Sequence, residues 1–329
     1  LATNVIHRFH DELSKSLQKE IMVPRPNLRF GNGTFIPTDA SLEKGVKTVY
    51  ASTLEAVGDA DFVAGDAEDI PLVNVTEGRD DYPTFLIAAG YKVSLADTWA
   101  ETYSGRLQRH ESRKLANLAR VIDEKMDRFA RYGSTKVGAT GLYNNANVTP
   151  ETWATSPYLT TTTNADIEKW FLDSVEAMDS AADGAYADGV FEDGTTVGSE
   201  GDMLGVVCVV PKPLLYELHR RKHPQTERSL YTTLTEDGSP ILDIKGTNAG
   251  KARNLQAQGG IGNGTLDRMI MYQANQQYLE RLYSPSELAP PDWVGVKGMT
   301  KTFPMYASTT PVMIHHPATL RYIDFPRKP

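Results

Sequence analysis

The stretch from about Arg106 to Tyr132 constrains the fold more than any other part of the chain. Leu115, Leu118, Ile122, Met126 and Phe129 recur at three- and four-residue spacing, which puts one apolar stripe on a helix. Arg113, Arg120, Glu124, Asp127 and Arg131 fall on the opposite side. Arg120–Glu124–Arg128 and Asp127–Arg131 set opposite charges four residues apart, each pair adding roughly a few tenths of a kcal/mol. Gly133 suits the left-handed residue that closes a helix. Such a helix is on the order of 40 Å long, well above the usual length, and can act as a spine for the molecule.

The flanking segments differ in texture. Residues 1–23 read as an amphipathic helix carrying Val5, Ile6, Phe9, Leu13, Leu17 and Ile21, ended by Pro24 and Pro26. From Leu28 to Ser41 the chain reads as extended, and a helix followed by an extended arm can reach a neighbour. Strand-like residues follow in 42–95: Val46, Thr48 and Tyr50, then Phe62 and Val63, Leu72, Val73 and Val75, and Phe85 to Ile87. Acidic turns lie between them. They suit either an extended β-hairpin projecting from a body or a plain antiparallel sheet.

A second helix is expected from Asn164 as N-cap, with Ile167, Trp170, Phe171, Val175 and Met178 inward. Asp183-Gly184, Asp188-Gly189 and Asp193-Gly194 then mark tight turns. Leu204 to Val210 reads as a buried strand. Pro213 opens a helix with Leu214, Leu215 and Leu218 inward, and His219-Arg220-Arg221-Lys222-His223 closes it against its negative end. From Leu230 onward short apolar runs read as β.

Function classes narrow by exclusion. A chain of 329 residues suits two or three subdomains. A net charge of -8 disfavours a nucleic-acid-binding domain, which needs basic surface to neutralise phosphates. A protein that encloses DNA without gripping it can be acidic. No stretch approaches the roughly 20 apolar residues of a spanning helix. The single cysteine, Cys208, sits in Val206-Val207-Cys208-Val209-Val210 and reads as a buried hydrophobe. His219 and His223 have helical ligand spacing, but Arg220, Arg221 and Lys222 between them repel a cation. His315 and His316 are adjacent in a strand-like run and point to opposite faces, and His7 and His10 lie near the terminus. Gly259-Gly260-Ile261-Gly262-Asn263-Gly264 lacks both the dinucleotide spacing and a following Lys-Ser/Thr, and reads as a connection. No Gly-x-Ser-x-Gly elbow or triad is present. The expectation is no catalytic residue, no cofactor and no metal.

Two segments carry a family resemblance. Gly141-Leu142-Tyr143-Asn144-Asn145-Ala146-Asn147-Val148-Thr149 resembles the Gly-Leu-Leu-Asn-x-Pro-x-Val signature after the spine helix of many tailed-phage capsid proteins, with Ala146 in place of proline. Gly264-Thr265-Leu266-Asp267-Arg268-Met269-Ile270-Met271-Tyr272 and Pro285-Ser286-Glu287-Leu288-Ala289-Pro290-Pro291 resemble the C-terminal half of one phage capsid family. There the Asp-Arg-Met run is a strand, while the pattern alone leaves helix and strand open.

The resemblance implies an α+β Hong Kong 97-like capsid fold. It would comprise an N-terminal arm over 1–41, an extended β-hairpin loop over 42–92 and a peripheral domain with the spine helix over 93–135. An axial α/β domain over 136–265 and C-terminal strands over 266–329 returning to the peripheral domain complete it. The implied function is a self-assembling icosahedral head around phage double-stranded DNA, a virion component built in the host bacterial cytoplasm. Its partners would be copies of itself in hexamers and pentamers, a portal, scaffold or cement proteins, and DNA touched at most weakly and non-specifically. Acidic tips at Asp59, Asp61, Asp66 and Glu68 would hinder edge pairing before assembly and meet basic residues of an adjacent subunit. Glu55, Arg25 and Arg29 are further expected inter-subunit contacts. An encapsulin-like compartment shell and a soluble oligomeric enzyme are the alternatives.

Overall fold

A computed structural model describes residues 30, 33–57, 74–94, 96, 107–183, 205–222, 227–236, 239–259, 261, 264–273, 275, 278–288, 292–294 and 300–328. In chain order the first half holds β1 (Thr38–Asp39), β2 (Thr48–Val57), β3 (Asn74–Pro83), β4 (Phe85–Ser94), α1 (Leu107–Tyr132), β5 (Pro150–Thr152) and α2 (Asn164–Asp183). Then come β6 (Val206–Pro211), α3 (Lys212–Arg220), α4 (Leu230–Leu234), β7 (Ile241–Thr247), α5 (Ala252–Asn254) and β8 (Leu266–Gln273). The last strands are β9 (Leu279–Leu282), β10 (Glu287–Leu288), β11 (Asp292–Val294), β12 (Thr300–Thr309), β13 (Met313–Ile314) and β14 (Leu320–Pro326).

A five-stranded sheet in the order β5-β14-β8-β6-β7 forms the centre. Its inner strands β6 and β8 are buried on both faces because both faces are covered. From β6, β8 and β14, Val206, Cys208, Val210, Met269, Met271, Ile323 and Phe325 meet Ile167, Phe171, Val175 and Met178 of α2, with Leu214, Leu218, Leu230 and Leu234 of α3 and α4. Alternate residues, Val207, Val209, Ile270, Tyr272, Leu320 and Tyr322, meet Phe30, Phe35, Ile36, Ala130, Tyr132, Leu142 and Tyr143 on the other face. A third core lies elsewhere. Leu118, Ile122 and Met126 of α1 pack on Met305 and Ala307 of β12, with Ile87, Ala89 and Tyr91 of β4 at its edge. One helix therefore serves two cores, with its middle on the β4–β12 sheet and its last turn on the central sheet.

Several local expectations change. Asp127 is not on a solvent face: it is 2% exposed and its Oδ1 accepts the Phe30 N–H at 2.8 Å. Thr163, not Asn164, caps α2. The Thr163 Oγ1 accepts the Asp166 N–H at 3.2 Å while Asp166 Oδ2 accepts the Thr163 N–H at 2.9 Å. Asn164 instead donates to the Lys222 carbonyl at 2.7 Å. Residues after Leu230 are not all β, since α4, α5 and a π turn at Leu255–Gly259 interrupt them. The strand expected from Leu204 is described from Val206. Phe85 to Ile87 belong to β4, which pairs with β12, rather than to the ribbon before it. The strands of 266–329 divide between sheets, with β8 and β14 central and β10, β11 and β12 beside β4.

The basic end of α3 does more than face a dipole. Glu217, 3% exposed, pairs with Arg220 at 2.7 Å and Arg221 at 3.1 Å. Arg221 also donates to the Leu159 carbonyl at 2.8 Å and the Pro157 carbonyl at 3.1 Å, tying α3 to the segment before α2. His219 stacks on Tyr231 at 4.3 Å, and His223 lies outside the described residues.

Burial alone would raise the Glu217 pKa, but the hydrogen bonds and charges of Arg220 and Arg221 outweigh it and hold it below its ordinary 4.5. Its stabilisation is therefore present above that ordinary value and lost as pH falls through the lower folded one. Glu217→Gln should flatten the dependence of the urea midpoint on pH in that acidic window. An unchanged dependence would rule out this pair as its source. Ile122→Ala should cost about 2–5 kcal/mol in urea unfolding, because Ile122 is fully buried. Val121→Ala, at 55% exposure, should stay within about 0.5 kcal/mol.

Candidate assembly surface

β2 and β3 pair along ten residues each, from Thr48↔Pro83 to Val57↔Asn74, and neither pairs with another strand among the described residues. The resulting ribbon has two faces. Tyr50, Ser52, Arg79 and Asp81 share one, and all are exposed. The Arg79 guanidinium lies 3.6 Å over the Tyr50 ring, and its Nε donates to Asp81 Oδ1 at 2.8 Å. Val49, Ala51, Asp80 and Tyr82 share the other face, and none is buried. A two-stranded ribbon with no buried face is marginal by itself. The described side chains of the ribbon thus lie open on both faces.

The ribbon is held at its root. Thr84 N–H donates to the Lys47 carbonyl at 2.9 Å, and Thr84 Oγ1 bonds the Val46 carbonyl. Tyr82 meets the His315 ring edge-on at 5.7 Å and donates to the Ile314 carbonyl at 3.4 Å. His315 Nε2 stands 3.5 Å from Glu280 Oε1. Burial, then the charges of Asp80 and Glu280, push the Tyr82 phenol up to about 12, so it stays a neutral donor. The adjacent histidines serve packing: His316 faces the Tyr278 ring at 5.6 Å, and burial lowers its pKa.

The two motif segments meet at the other end of α1. Its last four carbonyls each accept a hydrogen bond: Phe129 from the Gly133 N–H at 2.7 Å, Ala130 from the Leu142 N–H at 2.9 Å, Arg131 from the Tyr143 N–H at 3.0 Å and Tyr132 from Asn144 Nδ2 at 3.0 Å. Asn144 Oδ1 accepts the Gly141 N–H at 2.6 Å. Gly133 has φ +64°, and a Cβ on Gly141 would fall 2.4 Å from the Gly133 nitrogen, so both positions require glycine. Arg268 then joins the segments. It donates to the Tyr143 carbonyl at 2.7 Å and grips Asp324 with two bonds of 2.7 and 2.8 Å. The run Asp267-Arg268-Met269 is a strand, β8, as the resemblance implied. These motif residues fasten the helix end to the central sheet.

Of the expected contact residues, Glu55 lies on β2 opposite Thr76. Asp59, Asp61, Asp66, Glu68, Arg25 and Arg29 lie outside the described residues. Sequence reasoning missed Tyr50, Arg79 and Tyr82, although strand alternation once β2 and β3 are in register would have grouped them by face. Among the described residues no three or more His, Cys, Asp or Glu converge as a metal site. No helix among them is long and apolar enough to cross a membrane. Cys208 is buried, and burial drives its thiol pKa far up, which suppresses thiolate chemistry. An open pocket beside β5, lined by Val148, Met178, Leu320 and the Arg321–Glu151 ion pair, contains no nucleophile–base pair.

Residues 58–170, about a third of the chain, match a family model described as Major capsid protein. No curated protein matches the chain. Among solved structures the fold is similar to the capsid of Myoviridae phage XM1, with TM-score 0.67 and 14% identity over 94% of this chain and 97% of that one. The capsid of a native GTA particle gives TM-score 0.56 and 11% identity over 94% and 95%. A chain of Mycobacterium phage Bobi gives TM-score 0.55 and 11% identity over 97% and 98%.

Asn144→Ala would strip the Tyr132 carbonyl and the Gly141 N–H of their partner together. It should cost about 1–3 kcal/mol in chemical unfolding, with Asn144→Asp falling between it and the parent because only the acceptor survives.

Proposed function

We propose that this chain, which has the Hong Kong 97-like fold of phage major capsid proteins, is the subunit that self-assembles into an icosahedral head around phage double-stranded DNA. The family it matches is structural rather than enzymatic. One observation carries the assembly reading: a ribbon of two ten-residue strands without a buried side chain among those described. A shell offers such a ribbon the surface of a neighbouring copy, repeated by symmetry, so that modest contacts add to a stable whole. The division into an arm at 1–41, a loop at 42–92, a peripheral part at 93–135, an axial part at 136–265 and returning strands at 266–329 belongs to this reading. So do the contacts at Glu55, Asp59, Asp61, Asp66, Glu68, Arg25 and Arg29, with acidic tips set against basic residues of an adjacent subunit. Portal, scaffold and cement proteins are the further partners it implies.

Purified chain viewed by electron microscopy should form closed shells, and small closed oligomers under every condition would overturn the reading. Asp66→Lys with Glu68→Lys should reduce shell yield at low salt more than at high salt, because screening removes the new repulsion. Shell yield indifferent to those reversals would remove the acidic tips from the contact. Nuclease-protected double-stranded DNA inside native particles is expected; a protein cargo without DNA would point to a compartment shell instead.

A further inference from the structure

Arg281 on β9 is fully buried, yet its guanidinium is only partly bonded. Its Nε donates to Thr309 Oγ1 at 3.0 Å, and that hydroxyl in turn donates to the Thr310 carbonyl at 3.0 Å. Nη1 and Nη2 meet no acceptor among the described residues. The guanidinium carbon lies 5.7 Å over the Tyr283 ring. Leu279, on the same face of β9, packs in the core with Ile36, Val312 and Ile314. Burial pulls the Arg281 pKa down to about 10, against the opposing pull of Asp127 and then Tyr283, so the group keeps its charge at neutral pH.

The carboxylates closest in chain and register are committed elsewhere. Glu280 points to the opposite face of β9, where its Oε1 stands 3.5 Å from His315 Nε2. Asp39, opposite Leu282, accepts the Ser41 N–H at 2.9 Å and the Ser41 hydroxyl at 2.7 Å. Asp127 accepts the Phe30 N–H on Oδ1 and pairs with Arg131 through Oδ2. A buried cation with open donors is unfavourable unless a counter-charge meets them.

The number of donors selects that counter-charge. A phosphate or sulfate presents oxygens in several directions, and only two N–H-bearing nitrogens face it here, beside an aromatic ring and aliphatic side chains. A monatomic anion is satisfied by those two nitrogens, and the rest of its surface can lie against carbon. Water can accept from them but leaves the charge uncompensated.

We propose that Arg281 is the centre of an internal anion site, with Nη1 and Nη2 together holding one chloride ion that is enclosed as β1, β9 and β13 pair into their sheet. The ion is then a structural ligand of the single subunit, and the site stands independently of the shell reading.

Urea unfolding of the full chain at neutral pH and fixed ionic strength, with chloride replaced stepwise by the bulkier isethionate, tests the site. Binding to the folded state alone should raise the folded-to-unfolded ratio about tenfold for each tenfold rise in chloride above its dissociation constant. Arg281→Met removes the cation and should abolish that dependence. Without chloride its midpoint should equal or exceed the parent's, because an apolar side chain replaces an uncompensated charge. Crystals of the parent grown in bromide should show an anomalous peak in contact with Nη1 and Nη2. A parent indifferent to chloride, or a chloride dependence of equal size in Arg281→Met, would overturn the site. If Arg281→Met does not fold, the crystal decides: no bromide peak at Arg281 means that the ion is not there.

Discussion

The end of α1 sets the condition that the rest of the structure meets. A helix that stops inside a protein leaves four carbonyls to be paired, and here each finds a named donor within eleven residues of Gly133. Two glycines let the chain double back closely enough to supply them. The returning backbone then offers the Leu142 and Tyr143 carbonyls to the Tyr322 hydroxyl at 2.7 Å and to Arg268 at 2.7 Å. Capping the helix and fastening it to the central sheet are thus one set of bonds. Loss of any one donor would leave a buried polar group unpaired and loosen the sheet's hold on the helix.

From that anchor α1 reaches across to a second sheet, where its middle residues cover β4 and β12. Because β4 follows β3 after a single residue, Thr84, the ribbon is joined to the element that the helix pins. The ribbon has little hold of its own. Its root bonds and the Tyr82–His315 contact fix where it leaves the body, and among the described residues its outer face is tied by the exposed Arg79–Tyr50–Asp81 group. Exposed ion pairs of this kind contribute little. A firmly held root with a weakly held blade leaves the blade's final geometry to whatever it touches.

Legibility in the sequence followed the reach of each interaction. Leu118, Ile122, Met126 and Phe129 declared α1 because a helical stripe repeats locally, and the unbroken apolar run at β6 declared a strand covered on both sides. Asp127 fitted its i,i+4 partner Arg131 but hid its bond to Phe30, which is 97 residues away. Thr163 and Asn164 are both capping residues, and only the reciprocal bond from Asp166 separates them. Arg268 sits in a run, Leu266 to Tyr272, whose inward residues serve both sheet faces, so no period marked it as strand. The clasp at Asn144 was visible as a motif only. Its physical purpose needed the helix end beside it.

The same reach explains why the surface of the fold resembles chemistry less than its interior does. Arg268, Arg281, Asp127, Asp267 and Glu217 are all at least nine-tenths buried, and charges so placed usually signal an active site. Here each has a structural account. Asp267 takes the Ala252 N–H at 2.8 Å and the Tyr158 hydroxyl at 3.1 Å, and burial raises its pKa. Arg268 binds Asp324, and Glu217 binds two arginines. Of these five, only Arg281 has donors left over: its Nε reaches Thr309 Oγ1 at 3.0 Å, while its other two nitrogens meet no acceptor among the described residues. Buried charge among the described residues therefore joins pieces of chain far apart in sequence, Arg268 to Tyr143, Asp267 to Tyr158 and Asp127 to Phe30.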